Sequence, residues 1–446
     1  ISLGGSGSAG GDSGNVVLTN TGDIATYGPS SIPVYLHSIG GGDGDAQSGF
    51  GDAVLGSNGA DGQSGTTRLI NTGTLVSNDQ FSPAILYQAI GGGGGSLDSA
   101  NGTVALGSRN AEGLQSGQAM RLVNRGSLVT LADYSPTMFT QSIGGGGGRV
   151  AQTQGGAVSL GSVSGSSSAD LSGAAISIQS NGERLITRGD FSPAISAQSI
   201  GGGGGWVGPV EGDLLLGAIN STSTMNGGAI SLTNNAEIIT TGNTSAGITL
   251  QSLGGGGGYT GEVNGNAQMG SLNSGGAQNA DSVTLTNTAS ILSTGNFSPL
   301  VNVQSIGGGG GRAGSINGTL NLGAVNLSGS ANAGDVSMTL SGESLTSTGA
   351  ASPALLAQSI AGGGGSTAQV KGNVTMGASG SGSANAGNVV VTNRSQISTE
   401  GADSMGLMAQ SIGGGGGLAG QTYGDALILG GSMSGSSQGG SVTVTN

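Results

Sequence analysis

The residues able to do chemistry are few, and their spacing does not bring them together. The 446-residue chain has one histidine, His37, no cysteine, ten basic and 23 acidic residues. A Ser-His-Asp set needs an imidazole as its base, and the sole imidazole replaces Gln in a slot that recurs along the chain. Asp43, Asp45, Asp52, Glu183, Glu211, Glu262 and Glu343 fall at different points of that repeat, so no acid/base pair converges. Without Cys there is neither a disulfide framework nor a thiolate metal site. Runs of glycine suggest a phosphate cradle, but such a loop needs a helix after it and usually a Lys. The residue that follows the runs varies instead: Ser96, Arg149, Trp206, Tyr259, Arg312, Ser366 and Leu418. Gly41–Asp45 faintly resembles a calcium-binding nonapeptide, which works only in tandem. Thr-x-Thr pairs, as an ice-binding plane would need on every coil, occur at Thr284 and Thr443 but are broken in most repeats. The expectation is no enzyme, no cofactor and no metal.

Composition narrows the partners. A formal charge of −13, with nine Arg and Lys371 scattered along the chain, argues against nucleic acid and anionic lipid. No apolar run approaches the ~18 residues of a membrane span, so direct membrane insertion is not expected. Glycine supplies 99 residues and charged residues only 7%, unlike an ordinary globular enzyme. With 34% hydrophobic residues, disorder is not expected either.

What positions the residues is a repeat. Gln-Ser-Ile followed by glycines occurs eight times, its first position being His37, Gln88, Gln141, Gln198, Gln251, Gln304, Gln358 and Gln410, at intervals of 51 to 57 residues. Seventeen residues before each lies Asn20, Asn71, Asn124, Asn181, Asn234, Asn287, Ser341 or Asn393. Eighteen or nineteen residues after it comes a Leu/Met-Gly pair, from Leu55 to Leu429. Length varies only in Ser/Gly/Ala-rich stretches such as 162–174, which read as surface loops. Residues 1–20 align without gaps to 427–446, sharing Leu3/Leu429, Gly4/Gly430, Gly5/Gly431 and Ser6/Ser432, and neither end looks capped. The expectation is one uninterrupted solenoid segment, 1–446, of a longer chain.

Apolar alternation of period two, as in Ile230-Ser231-Leu232-Thr233, marks short strands, and helical periodicity is absent. The fold class is all-β, a parallel β-solenoid of eight tandem repeats, right-handed by the general chirality of parallel crossovers. The landmark spacing gives three coils of about 18 residues per repeat, or two of about 26, and hence a rod of about 115 Å or 77 Å. Two inward ladders are expected. One runs through Leu18, Leu69, Leu122, Ile178, Leu232, Leu285, Met338 and Val391, and the other through the Ile after Gln-Ser, from Ile39 to Ile412. The Asn positions suit a strand end with φ > 0 and a stacked amide ladder. Pro83, Pro136, Pro193, Pro299 and Pro353 mark a corner at a strand start. Phe81, Tyr134, Phe191 and Phe297 beside them either pack that corner or form an exposed contact.

The glycine runs follow a buried Ile with almost no change in length, which favours ordered backbone over a linker. Bare Gly at one point of every repeat makes a side-chain-free strip, with Gly93, Gly146, Gly203, Gly256, Gly309 and Gly415 as candidates for self-association. The competing reading is that the strip serves only the internal fold.

The string Ser192-Pro193-Ala194-Ile195-Ser196-Ala197-Gln198-Ser199-Ile200 followed by five glycines resembles the repeats of very large bacterial autotransporter-type (type V secretion) surface proteins. The resemblance covers the whole chain. It implies an extracellular passenger displayed on the bacterial outer surface, a structural or adhesive rod that either associates laterally or serves as a stalk for a distant tip. Its partners would be copies of itself or other surface components, and the outer-membrane barrel would lie elsewhere in the full chain.

Overall fold

Residues 2–3, 11–48, 51–56 and 62–446 are described by a computed structural model. The expectations at Gly4, Gly5 and Ser6 fall outside them. Every regular element among the described residues is a β-strand, and the strands stack in parallel into five long sheets of eight or nine.

One turn of the chain shows how the elements arise. In the third coil an Asn strand, Met120–Asn124, is followed by a short strand, Leu128–Thr130, and a Gln strand, Met138–Ile143. A glycine strand, Gly147–Val150, and a Leu-Gly strand, Val158–Leu160, complete it. The Asn strands alternate buried and exposed residues, as at Ile230–Asn234, because one face meets a core and the other water. Each of the five strands pairs with its counterpart one whole repeat away: Met120 lies opposite Thr67 and Ile176, and Gln141 opposite Gln88 and Gln198.

A repeat is therefore one coil, and the two or three coils expected from spacing are corrected. The Asn, Gln and Leu-Gly landmarks are walls of a single wide turn, and distance along the chain does not distinguish the next wall from the next storey. Eight coils span about 38 Å, shorter and thicker than the rod expected.

The coil is wide because it encloses two cores. Asn, short and Gln strands surround the first, which contains Leu69, Leu75, Ile85 and their equivalents. Glycine and Leu-Gly strands sandwich the second, with Leu97, Val150 and Val207 against Leu106, Leu160 and Leu216. Both expected ladders are in register: Leu122 sits between Leu69 and Ile178, and the Ile column from Ile39 to Ile412 forms a cluster of its own. The stretch 162–174 is less of a loop than expected. It bridges to neighbouring coils at Val163 and Asp170 and buries Ala169 and Leu171 with Ala111, Ala218 and Met225.

Candidate functional site

The glycine strip lies inside the molecule. Gly93, Gly146, Gly203, Gly256, Gly309 and Gly415 are buried, at the waist between the two cores. A Cβ on Gly203 would overlap the Cα of Gly161, and one on Gly146 that of Gly107, so the run passes the Gly of the Leu-Gly pair backbone to backbone. These six glycines also take φ between 85° and 99°, where side chains are strained. The self-association expectation is corrected accordingly: these residues pack coil on coil in one chain and present no outer surface.

Around the waist, polar side chains bond to their own copies. Gln88, Gln141, Gln198, Gln251, Gln304, Gln358 and Gln410 form a file in which each Nε2 donates to the next Oε1 at 2.6–2.9 Å. The file satisfies amides that burial would otherwise penalise. His37 shares their register, but Gln88 Oε1 receives no hydrogen bond, and the imidazole meets Tyr35 Oη at 3.0 Å and Asp45 at 3.8 Å. At the corner, Ser82, Ser135, Ser192, Ser245, Ser298 and Ser352 each donate a backbone N–H to the next serine's Oγ at 2.9–3.0 Å. Prolines follow five of these serines, Ala246 follows Ser245, and the Gln strands begin two residues after each proline or Ala246.

The Asn ladder exists in pieces. Asn20 donates to Asn71 and Asn71 to Asn124 at 2.8 Å, and Asn234 to Asn287 at 2.7 Å. Ser180 and Leu340, rather than Asn181 and Ser341, hold the intervening places, since coils four and seven carry one extra residue after the Asn strand. Counting a constant 17 residues hid that insertion. The asparagines make the turn by donating to a carbonyl two residues on, as Asn71 does to Gly73 at 2.8 Å. They do not adopt the positive φ expected of them.

Positive φ occurs at the corner residue before the ladder serine, Ser30, Phe81, Tyr134, Phe191, Thr244, Phe297, Ala351 and Asp403, at 50–57°, and in a second column at Asn110, Ser164, Asn220, Asn273 and Asn326, at 51–60°. Left-handed backbone at a bulky residue is strained and persists only where its surroundings hold it. Here they do. Phe81, Tyr134 and Phe191 stack with ring centroids 5.1 and 4.9 Å apart. Their edges lie over Gly208, Gly261 and Gly314, two coils further on, where a Cβ would collide with or crowd each ring. Corner packing, not an exposed contact, is what these aromatics do.

Opposite them stands the residue after each glycine run. Sequence reading treats those residues as unrelated, yet they form one ladder: Asp45, Ser96, Arg149, Trp206, Tyr259, Arg312, Ser366 and Leu418. The available signal was that large and charged side chains recur at a single point fixed by five bare glycines. Corner and ladder enclose a niche outside both cores, with Phe139 tilted against Trp206 at 5.4 Å.

Two arginines occupy the niche. Arg149 is fully buried. Its Nη1 donates to Asp98 at 2.6 Å and Ser96 at 3.1 Å, its Nη2 to the Phe81 carbonyl at 2.6 Å, and its guanidinium lies 5.1 Å from the Trp206 ring. Arg312 is 3% exposed. Its Nη2 donates to the carbonyls of Thr244 and Phe297 at 3.1 and 3.0 Å, while Nη1 has no acceptor. Burial lowers the pKa of Arg312, opposed by Tyr259, whose own hydroxyl burial pushes up to about 12. A cavity of about 300 Å³ opens beside it, walled by Phe297, Pro353, Leu356, Met405 and Leu418. The niche is thus equipped to hold an anion against apolar walls.

Among the described residues no three of His, Cys, Asp or Glu gather as a metal site. No protein-family model matches the chain, and no curated protein does.

Proposed function

We propose that the chain is a structural segment of a large bacterial surface protein, a thick stiff rod that spaces or supports other parts of that protein outside the cell. The observation that carries this reading is that the side-chain ladders, like the sheets, run along one axis. Gln bonds to Gln, Asn to Asn and the corner serines to each other, with partners 51 to 57 residues apart. Such bonding stabilises length and stiffness, because each coil is held by its neighbours and stability accumulates along the axis. The Cys-free sequence suits export of an unfolded chain across two membranes, and the resemblance of the Gln-Ser-Ile-glycine repeat to autotransporter passengers points the same way. With the glycine strip internal, a stalk that presents a distant tip is favoured over fibres zipped together through glycine.

Surface labelling tests the reading. An antibody to this segment should stain intact cells of the source organism as strongly as permeabilised ones, and external protease should remove the signal. Staining that appears only after permeabilisation would overturn the surface assignment. Negative-stain images of the native protein should show single projections of uniform width, and bundled filaments would restore the lateral reading.

A further inference from the structure

We propose that the cavity beside Arg312 binds a small organic anion, a carboxylate carried on a flat apolar body. Two arginines share one register position. Arg149 and Arg312 each bind the corner carbonyl 68 residues before them, of Phe81 and Thr244 respectively. Beneath Arg149 the chain supplies Ser96 and Asp98, both bonded to Nη1. Beneath Arg312 the same places hold Tyr259 and Gly261, which bring no carboxylate, and Nη1 is left without an acceptor.

A guanidinium stays charged at neutral pH, and burying it without a counter-ion is unfavourable unless something supplies one. The other ionisable group on the cavity wall is Asp403, which is exposed at the rim. The cavity, about 300 Å³, is at the lower end of the range for small-molecule sites. Phe297, Leu356 and Leu418 offer an apolar slot for a ring, and Arg312 offers the charge. The chain gives both arginines a ring, Trp206 at 5.1 Å and Tyr259 at 6.0 Å, and the ligand brings Arg312 the carboxylate that Asp98 brings to Arg149.

Benzoate and its neutral analogue benzamide test the site by calorimetric titration of the intact chain. Benzoate should bind saturably, and benzamide about tenfold or more weakly, the loss expected for a charge-assisted hydrogen bond. Arg312→Gln should abolish benzoate binding. Leu418→Trp, which places in coil eight the side chain that coil four already carries in this ladder, should fill the slot and abolish binding with the melting temperature kept. A peptide ending in a free phenylalanine carboxylate, run beside benzoate, tells a chain terminus from a free acid by which binds more tightly. Benzoate that fails to bind, that benzamide matches, or that binds Arg312→Gln as well as the parent chain overturns the proposal.

Discussion

In coils two to four the chain's own groups stack at the corner and pair the buried arginine, whereas in coils six to eight the same positions do neither, although a cavity borders both arginines. Phe81, Tyr134 and Phe191 stack there, and Arg149 has Asp98. Further along, the corner passes through Thr244, Phe297, Ala351 and Asp403, and Arg312 faces a cavity. The backbone does not differ between the two regions: corner φ values agree within a few degrees and the sheets run through both. The repeat therefore fixes a scaffold, and the residues free to vary at two points of each coil decide which groups the niche offers a buried arginine.

The comparison presupposes a common waist, and the largest effect tests that. Gly203→Val in coil four and Gly309→Val in coil six should each prevent folding, since either Cβ would overlap the Cα of a neighbouring glycine. Circular dichroism and soluble yield check this, and one tolerated substitution would show that the halves differ in backbone after all. Next, Phe191→Ala should cost about 3 kcal/mol by emptying a packed stack, and Phe297→Ala, already bordering a cavity, about 1 kcal/mol. Equal losses in denaturant titrations would remove the distinction between stacked and unstacked corners. Asp98→Ala should cost about 2–3 kcal/mol by stranding Arg149, and adding Arg149→Met should recover most of that. Arg312→Met, which frees two carbonyl acceptors but strands no charge, should change stability by only about 1 kcal/mol.

An effect of similar size appears in alkali. The hydroxyls of Tyr87 and Tyr259 are raised from 10.0 to about 12 chiefly by burial. The folded state then holds protons that the unfolded state gives up, so this stability is complete below pH 10 and falls as pH rises towards 12. At pH 11 each contributes a loss of about 1 kcal/mol, to be read from melting temperatures. Tyr259→Phe should remove its share.

How much of this was legible follows from what repeats. The strands, the Leu18 ladder and the Ile column could be read because one side-chain type recurs at each coil and burial leaves it no alternative. The number of coils could not, since the same spacings fit three narrow turns or one wide turn folded at a glycine waist. The one-residue insertions at Ser180 and Leu340 were masked by neighbouring Asn181 and Ser341, polar residues resembling the missing rung. The niche was hidden for the opposite reason: Arg149, Trp206, Tyr259 and Arg312 share a position but no chemistry. One sequence pattern did encode it. Phe81, Tyr134, Phe191 and Phe297 are each followed two coils later by Gly208, Gly261, Gly314 and Gly420, whereas Ser30 and Thr244 are followed by Ala151 and Ala368. Rings are answered by bare backbone and small corners by a methyl group.

A coil of one whole repeat also sets how the segment responds to tension. The bonds between coils lie along the axis, so a pull on the two chain ends peels one coil at a time instead of shearing sheets. Each release frees about 53 residues, roughly 180 Å of extended chain, in place of the ~5 Å that coil occupied. Eight coils store on the order of 1,400 Å of slack within about 38 Å of length. Drawn out by its two ends, the segment would lengthen in steps of about 180 Å, each absorbing work, before the covalent chain itself bore the load.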